Sequence, residues 1–182
     1  MPALPRRSPR HDVLTVAIPD VRIDIRAARI EDVPSILVLI RGLAEYEKLS
    51  HEMVATADDL RRWLFSDKPI AEVLMACADS DDQAVGFALF FHNFSTFLGR
   101  PGIYLEDLFV VPDWRGRGIG RQLLQALAAV AVERGCGRLE WSVLDWNAPA
   151  VGFYRRLGAT IMDDWRICRM TGDALAALGS RE

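Results

Sequence analysis

The sequence predicts a mixed α/β fold, one sheet with helices on both of its faces, and three observations predict it. Apolar runs of strand length come early and are separated by short polar turns. A strand–helix–strand unit then occupies residues 103–144. Hydrophobic residues make up 51% of the 182 and charged ones 26%, which is enough apolar material to bury a core.

In chain order, residues 1–20 stand apart. Pro2, Pro5, Pro9 and Pro19 lie there with Arg6, Arg7, Arg10 and His11, and no apolar stretch of secretory type follows them. A mobile tail is the expectation, with a basic targeting arm as the other reading, and residues 21–182 form a single domain. Residues 23–27 alternate as a strand does. Val33, Ile36, Ile40, Leu43 and Ala44 then fall at helical spacing over 31–46, with Pro34 tolerated in the first turn. A second helix is expected over 56–65 behind Thr56 as N-cap. The apolar runs 72–78 and 84–92 flank a polar turn and read as a hairpin, followed by a loop over 93–101. Further strands are expected at 103–111 and 138–144, and a helix with Ile119, Leu123, Leu127 and Val130 on one stripe lies between them. A helix over 148–157 stops at Gly158. Short strands at 160–162 and 166–171 and a helix over 173–178 close the chain.

Charge and cysteine content exclude several classes of function. Lys plus Arg is 22 against 25 for Asp plus Glu, a net charge of −3, where a nucleic-acid binder would carry a strongly basic face. No apolar run reaches the roughly 18 residues that span a bilayer. Cys77, Cys136 and Cys168 are scattered and odd in number, as expected of reduced thiols in a cytoplasmic protein. His11, His51 and His92 are isolated, so no metal site is expected.

The most informative segment is Leu108-Phe109-Val110-Val111-Pro112-Asp113-Trp114-Arg115-Gly116-Arg117-Gly118-Ile119-Gly120-Arg121. A buried strand ends here and a helix begins within the glycines. The first turn of a helix carries unpaired N–H groups and partial positive charge, which suit a phosphate. Arg115, Arg117 and Arg121 add charge at the same place, and Gly116, Gly118 and Gly120 let the backbone approach a ligand closely. A P-loop would need Lys and Ser or Thr after its last glycine, and Arg121-Gln122 stands there instead. A dinucleotide fingerprint beginning at Gly118 would need a third glycine where Leu123 stands. A plain strand-to-helix turn needs fewer than three glycines and three arginines.

The Arg-Gly-x-Gly-x-Gly pattern after a Leu-x-Val-x-Pro strand resembles the acetyl-CoA loop of the GNAT superfamily of N-acetyltransferases. Asn147-Ala148-Pro149-Ala150-Val151-Gly152-Phe153-Tyr154-Arg155-Arg156-Leu157-Gly158-Ala159 resembles the second motif of that superfamily. Within it, the chain looks most similar to the diamine (spermidine/spermine) and thialysine acetyltransferases. Leu43-Ala44-Glu45-Tyr46-Glu47, Tyr104-Leu105-Glu106-Asp107-Leu108-Phe109-Val110 and Trp146-Asn147-Ala148-Pro149 carry that similarity. The resemblance implies a mostly antiparallel mixed sheet whose fourth and fifth strands splay to admit the pantetheine arm, acetyl-CoA as co-substrate, no metal, and a homodimer. The polyamine enzymes have a Glu-Glu-Gly-Trp stretch near the end of the chain, whereas the segment here is the shorter Asp163-Asp164-Trp165. An acid and a tryptophan survive with a different reach, which leaves the acceptor open among diamines, polyamines and thialysine- or lysine-like amines.

Acetyl transfer to an amine sets chemical requirements that these residues can meet. An alkylamine with a pKa near ~10.4 is protonated at neutral pH, so a carboxylate must bind the cation and take a proton from it. An acid pair in an otherwise apolar strand is expensive to bury without a purpose. Glu106 resembles the base of the family, with Asp107 beside it as a substrate ligand. The resemblance also makes Tyr154 the general acid toward the coenzyme A thiolate, and gives the main-chain N–H groups of Leu108, Phe109 and Val110 to the thioester carbonyl. Asn147, Ala148, Pro149, Ala150 and Phe153 complete the expected cofactor contacts. Tyr46, Glu47, Glu140, Trp141, Ser142, Asp163, Asp164 and Trp165 are acidic, aromatic or polar groups that suit a cationic amine. The expected reaction is direct attack in a ternary complex, because Cys136 lies outside both motifs. The alternatives are acetylation of a protein amine and a non-catalytic module that binds acyl-CoA.

Overall fold

A computed structural model describes residues 21–78 and 82–180. The tail over 1–20 and the tip of the first hairpin lie outside them. The chain divides into two compact units between Trp141 and Ser142, and each is taken in turn.

The first unit holds one sheet of five strands in sequential order: β1 (Ile23–Ala27), β2 (Glu72–Ala78), β3 (Gln83–Ser95), β4 (Arg100–Val110) and β5 (Leu139–Trp141). β1 to β4 pair antiparallel and β4 pairs parallel with β5, the mixed sheet that the sequence predicts. Two helices precede β2. α1 (Val33–Tyr46) follows a 3₁₀ turn at Ile30–Asp32 that is tied by Asp32 to Arg26 across 2.7 Å. α2 (Ala57–Leu64) starts at Thr56, whose hydroxyl accepts from the Asp59 N–H while the Asp59 carboxylate accepts from the Thr56 N–H. This reciprocal cap satisfies two donors that the helix leaves unpaired.

The two faces of the sheet are covered by different helices. Val73, Met75, Cys77, Phe87 and Phe109 form one cluster with Val33, Ile36 and Leu39 of α1 and Leu60 and Leu64 of α2. On the other face lies α3 (Ile119–Glu133), which buries Ile119, Leu123 and Leu127 of the stripe read from the sequence and leaves its fourth member, Val130, half-buried. A glycine at position 86 is needed for this packing. A Cβ there would stand 2.8 Å from the Phe109 carbonyl oxygen, so β3 and the end of β4 could not keep their spacing.

Two sequence expectations change in the first unit. The loop expected over 93–101 is mostly strand, because Asn93, Phe94 and Ser95 pair with Gly102, Pro101 and Arg100, leaving only four residues to turn. Asn, Ser, Gly and Pro made this stretch read as a loop, and the long hairpin ladder overrides their local preference. The strand expected over 138–144 shortens to the three residues of β5.

The second unit holds α4 (Ala148–Arg156) and α5 (Gly172–Gly179). Neither strand expected at 160–162 and 166–171 forms. Every residue from Met162 to Ser180 is exposed, so this segment has no buried face against which a strand register could be set.

Candidate active site

The end of β4 is where the first unit concentrates chemistry. β5 pairs with Ile103, Tyr104 and Leu105 and goes no further, so β4 continues over residues 106–110 without a ladder to β5. At the point of parting the register on the other side slips: Leu89 faces Asp107 and Phe90 faces Leu105. Glu106 is the extra residue of a β-bulge, a device that re-aims a side chain and loosens local pairing. Beyond it, Leu108, Phe109 and Val110 pair with Ala88, Phe87 and Gly86 of β3.

Three carboxylates gather around this bulge. Burial pushes the Asp107 carboxyl up to about 7, and the charges of Glu106 and Glu47 push it in the same direction. Glu47 is itself raised by burial. Asp107 and Glu47 therefore give up their protons less readily than free carboxylates, and with the exposed Glu106 beside them the cluster attracts a cation. Glu47 reaches the cluster because α1 ends sharply. The Glu47 N–H closes on the Leu43 carbonyl at 2.9 Å and the Leu49 N–H on the Ala44 carbonyl at 2.8 Å, with Lys48 in the left-handed conformation between them.

The glycine loop follows directly. A 3₁₀ turn at Pro112–Trp114 leads to Gly116 and Gly118, both with positive φ, at 76° and 79°, and both with open space where a Cβ would stand. Gly118 caps α3 without a side chain to offer, and the first amide to close the helix is that of Gln122 on the Gly118 carbonyl. The N–H groups of Ile119, Gly120 and Arg121 therefore stand in the unpaired first turn, where anions bind. Two of the arginines expected here turn back onto the protein. Arg117 donates to the Asp113 carbonyl at 3.0 Å and stacks on Trp114 at 4.8 Å from its ring centre. Arg115 donates its Nε–H to the Val110 carbonyl at 2.8 Å and lies over the Tyr46 ring at 4.5 Å. Arg121 is exposed.

Glu140 is held by protein partners. Its Oε2 accepts from the Asn93 side-chain amide at 2.9 Å and lies 2.8 Å from Arg138 Nε. Asn93 falls in the stretch that the sequence predicts as a loop, and no local pattern signals that it reaches Glu140, 47 residues on. Trp141 pairs with Leu105 at the end of β5.

In the second unit, the Asn147 side chain accepts from the Ala150 N–H at 3.3 Å and so caps α4, with Ala148 and Pro149 in its first turn. This cap explains why the motif begins with asparagine. Phe153 and Tyr154 are adjacent on α4 with ring centres 5.3 Å apart, and Tyr154 is buried. Asp163, Asp164 and Trp165 are exposed on a turn closed by the Trp165 N–H on the Met162 carbonyl at 3.1 Å. Ser142 is exposed as well.

His92 is less isolated than its sequence neighbours suggest. Arg134 bonds its Nε2 at 3.0 Å while pairing with Glu72, and Cys136 Sγ lies 3.9 Å from its Nδ1. Among the described residues, no group of three His, Cys, Asp or Glu side chains could hold a metal ion, and no helix is long and apolar enough to cross a membrane.

Comparison with known proteins bears directly on this arrangement. The profile of the Acetyltransferase (GNAT) family matches residues 40–159. The thialysine N-epsilon-acetyltransferase of Mus musculus is 39% identical over 166 residues, covering 86% of this chain and 97% of that one. The L-ornithine N5-acetyltransferase NATA1 of Arabidopsis thaliana is 34% identical over 197 residues, covering 85% and 86%. Among solved structures, an integron cassette protein from V. cholerae superposes with a TM-score of 0.73 at 28% identity, covering 87% of this chain and 98% of that one.

Proposed function

The chain belongs to the GNAT family of acetyltransferases, and from that premise we propose that it acetylates a primary amine of a small cationic acceptor. Diamines, polyamines and thialysine- or lysine-like amines are the class. The names of the relatives support the class, since they specify thialysine and ornithine, both small amines that carry positive charge. The single observation that carries the reading lies within 14 residues of the first unit. The acid pair Glu106-Asp107 stands at the bulge where β4 leaves β5, and the strand then runs into a glycine loop and an uncapped helix.

Acetyl-CoA, the co-substrate of GNAT enzymes, supplies an activated acetyl group as a thioester. The residues present fit it: Gly116 and Gly118 leave the space of two side chains open, and the amides of 119–121 lack helical partners. Those amides would hold its diphosphate, with Asn147, Ala148, Pro149, Ala150 and Phe153 as further contacts carried over from the family motif. The main-chain N–H groups of Leu108 to Val110 would face the oxygen on which negative charge builds. Glu106 takes the proton from the ammonium, directly or through water, and Asp107 and Glu47 hold the cation beside it. Tyr154 returns a proton to the departing sulfur. The deprotonated amine of the acceptor would attack the thioester carbonyl directly in a ternary complex, with the thiolate leaving, and no cysteine carries the acetyl group. Tyr46, Trp141, Ser142, Asp163, Asp164 and Trp165 remain proposed acceptor contacts. Glu140 acts through its ion pair with Arg138 and sets the charge near β5.

A single catalytic domain over 21–182, a homodimer and a cytoplasmic location belong to the same proposal. Exposed Trp165, Ile167, Leu175 and Leu178 supply apolar surface of the kind that a partner copy covers. The test of function is release of free thiol from acetyl-CoA with a panel of diamines, polyamines, thialysine, lysine, ornithine and an amino-terminal peptide. The reading predicts turnover of at least one small diamine or amino acid with a side-chain amine. Turnover of the peptide alone would replace it with protein acetylation.

A further inference from the structure

We propose that Arg115 is a positioning residue for the acceptor side of the site, acting through Tyr46, in addition to its place at the start of the cofactor loop. The inference rests on the acetyltransferase reading above. Its basis is the set of three contacts that Arg115 makes. The guanidinium lies 4.5 Å from the centre of the Tyr46 ring and 5.3 Å from that of Phe109. Its Nε–H donates to the Val110 carbonyl at 2.8 Å.

These contacts join three parts of the chain. Tyr46 is the last residue of α1, Phe109 and Val110 end β4, and Arg115 opens the glycine loop. Arg115 thus pins the end of α1 to the end of β4, 64 residues away in sequence. The residue after Tyr46 is Glu47, whose charge acts on Asp107. A shift of the α1 terminus would move that carboxylate away from the acid pair, and with it one wall of the cation site. Phe109 is braced from the same helix, since a Cβ on Gly42 of α1 would stand 3.0 Å from its ring.

A flat guanidinium suits this place and an ammonium does not. Stacking on a ring face while one N–H reaches a carbonyl in the guanidinium plane needs the planar fork of arginine. Lysine keeps the charge but loses both the stack and the fixed donor. A residue needed only as positive charge for a phosphate would tolerate that change.

Steady-state kinetics with the accepted amine and acetyl-CoA, on Arg115→Ala, Arg115→Lys, Tyr46→Leu and the Arg115→Ala/Tyr46→Leu double variant, tests this. Both Arg115 variants should raise the amine KM by about tenfold and the acetyl-CoA KM by less than about twofold. The double variant should be no worse than the poorer single one. A rise in acetyl-CoA KM alone, or full additivity with Tyr46→Leu, would overturn the proposal and leave Arg115 as a phosphate ligand. The NMR resonance of the Arg115 Nε–H supplies a readout apart from activity. It should shift when Tyr46→Leu removes the ring, and an unmoved resonance would also overturn the proposal. A wild-type enzyme that turned over no amine while that resonance responded to Tyr46→Leu would instead count against the function proposed above.

Discussion

Tyr154→Phe is expected to lower kcat for amine acetylation by about 10²-fold or more, the usual scale for losing a positioned proton donor. The substitution keeps the aromatic ring, so the buried packing of Tyr154 and its contact with Phe153 on α4 should survive. Stability should fall by no more than about 1 kcal/mol, the net worth of an ordinary hydroxyl hydrogen bond. Acetyl-CoA binding should be nearly unchanged, because the lost group serves the departing sulfur rather than the diphosphate. Rapid-quench measurement of the first turnover locates the loss in the chemical step. A variant within twofold of wild type in that step would remove Tyr154 from the mechanism.

The second large effect concerns Asp107. Its carboxyl titrates near 7 in the folded chain, raised from the ordinary value near 3.8 by burial and by Glu106 and Glu47. Between those two values the folded state binds more protons than the unfolded state. The stabilising contribution of this group is therefore present at low pH and lost as pH rises through about 7. Binding of a cation works in the opposite sense. An ammonium beside Asp107 favours the ionised carboxylate, so amine kcat/KM should climb as pH passes through about 7. Asp107→Asn should abolish that climb, flatten the pH dependence of stability across the window, and reduce amine kcat/KM by about 10²-fold. Chemical denaturation and initial rates from pH 5 to 8 check both halves. An Asp107→Asn enzyme with an unaltered pH profile would show that the carboxylate takes no part.

The acid pair, the glycine loop and the Asn147 motif were all legible in the sequence because each is local. Their chemistry is written in residues less than a dozen positions apart. The same holds for α1, α2 and α3, whose apolar stripes and caps follow from helical spacing. What the sequence did not show depends on distant partners. The slip that makes Glu106 a bulge residue is a property of the β3–β4 register, and nothing in residues 103–111 announces it. Arg115 read as one more positive charge in the loop because its spacing to Tyr46 carries no pattern. Glu140 read as an available acid, yet Arg138 and Asn93 engage it. The strands expected at 160–162 and 166–171 failed for a related reason. Alternating side chains specify a strand only when a neighbour offers a ladder and a face to bury.

Isothermal titration of the purified enzyme with coenzyme A and, separately, with pantetheine probes the diphosphate cradle most directly. The two share the thiol-bearing arm and differ in the nucleotide and its phosphates. Amides of residues 116–121 that grip the diphosphate predict tight, salt-sensitive binding of coenzyme A and at least about 100-fold weaker binding of the arm alone. Equal affinity for the two would contradict the assignment of the glycine loop.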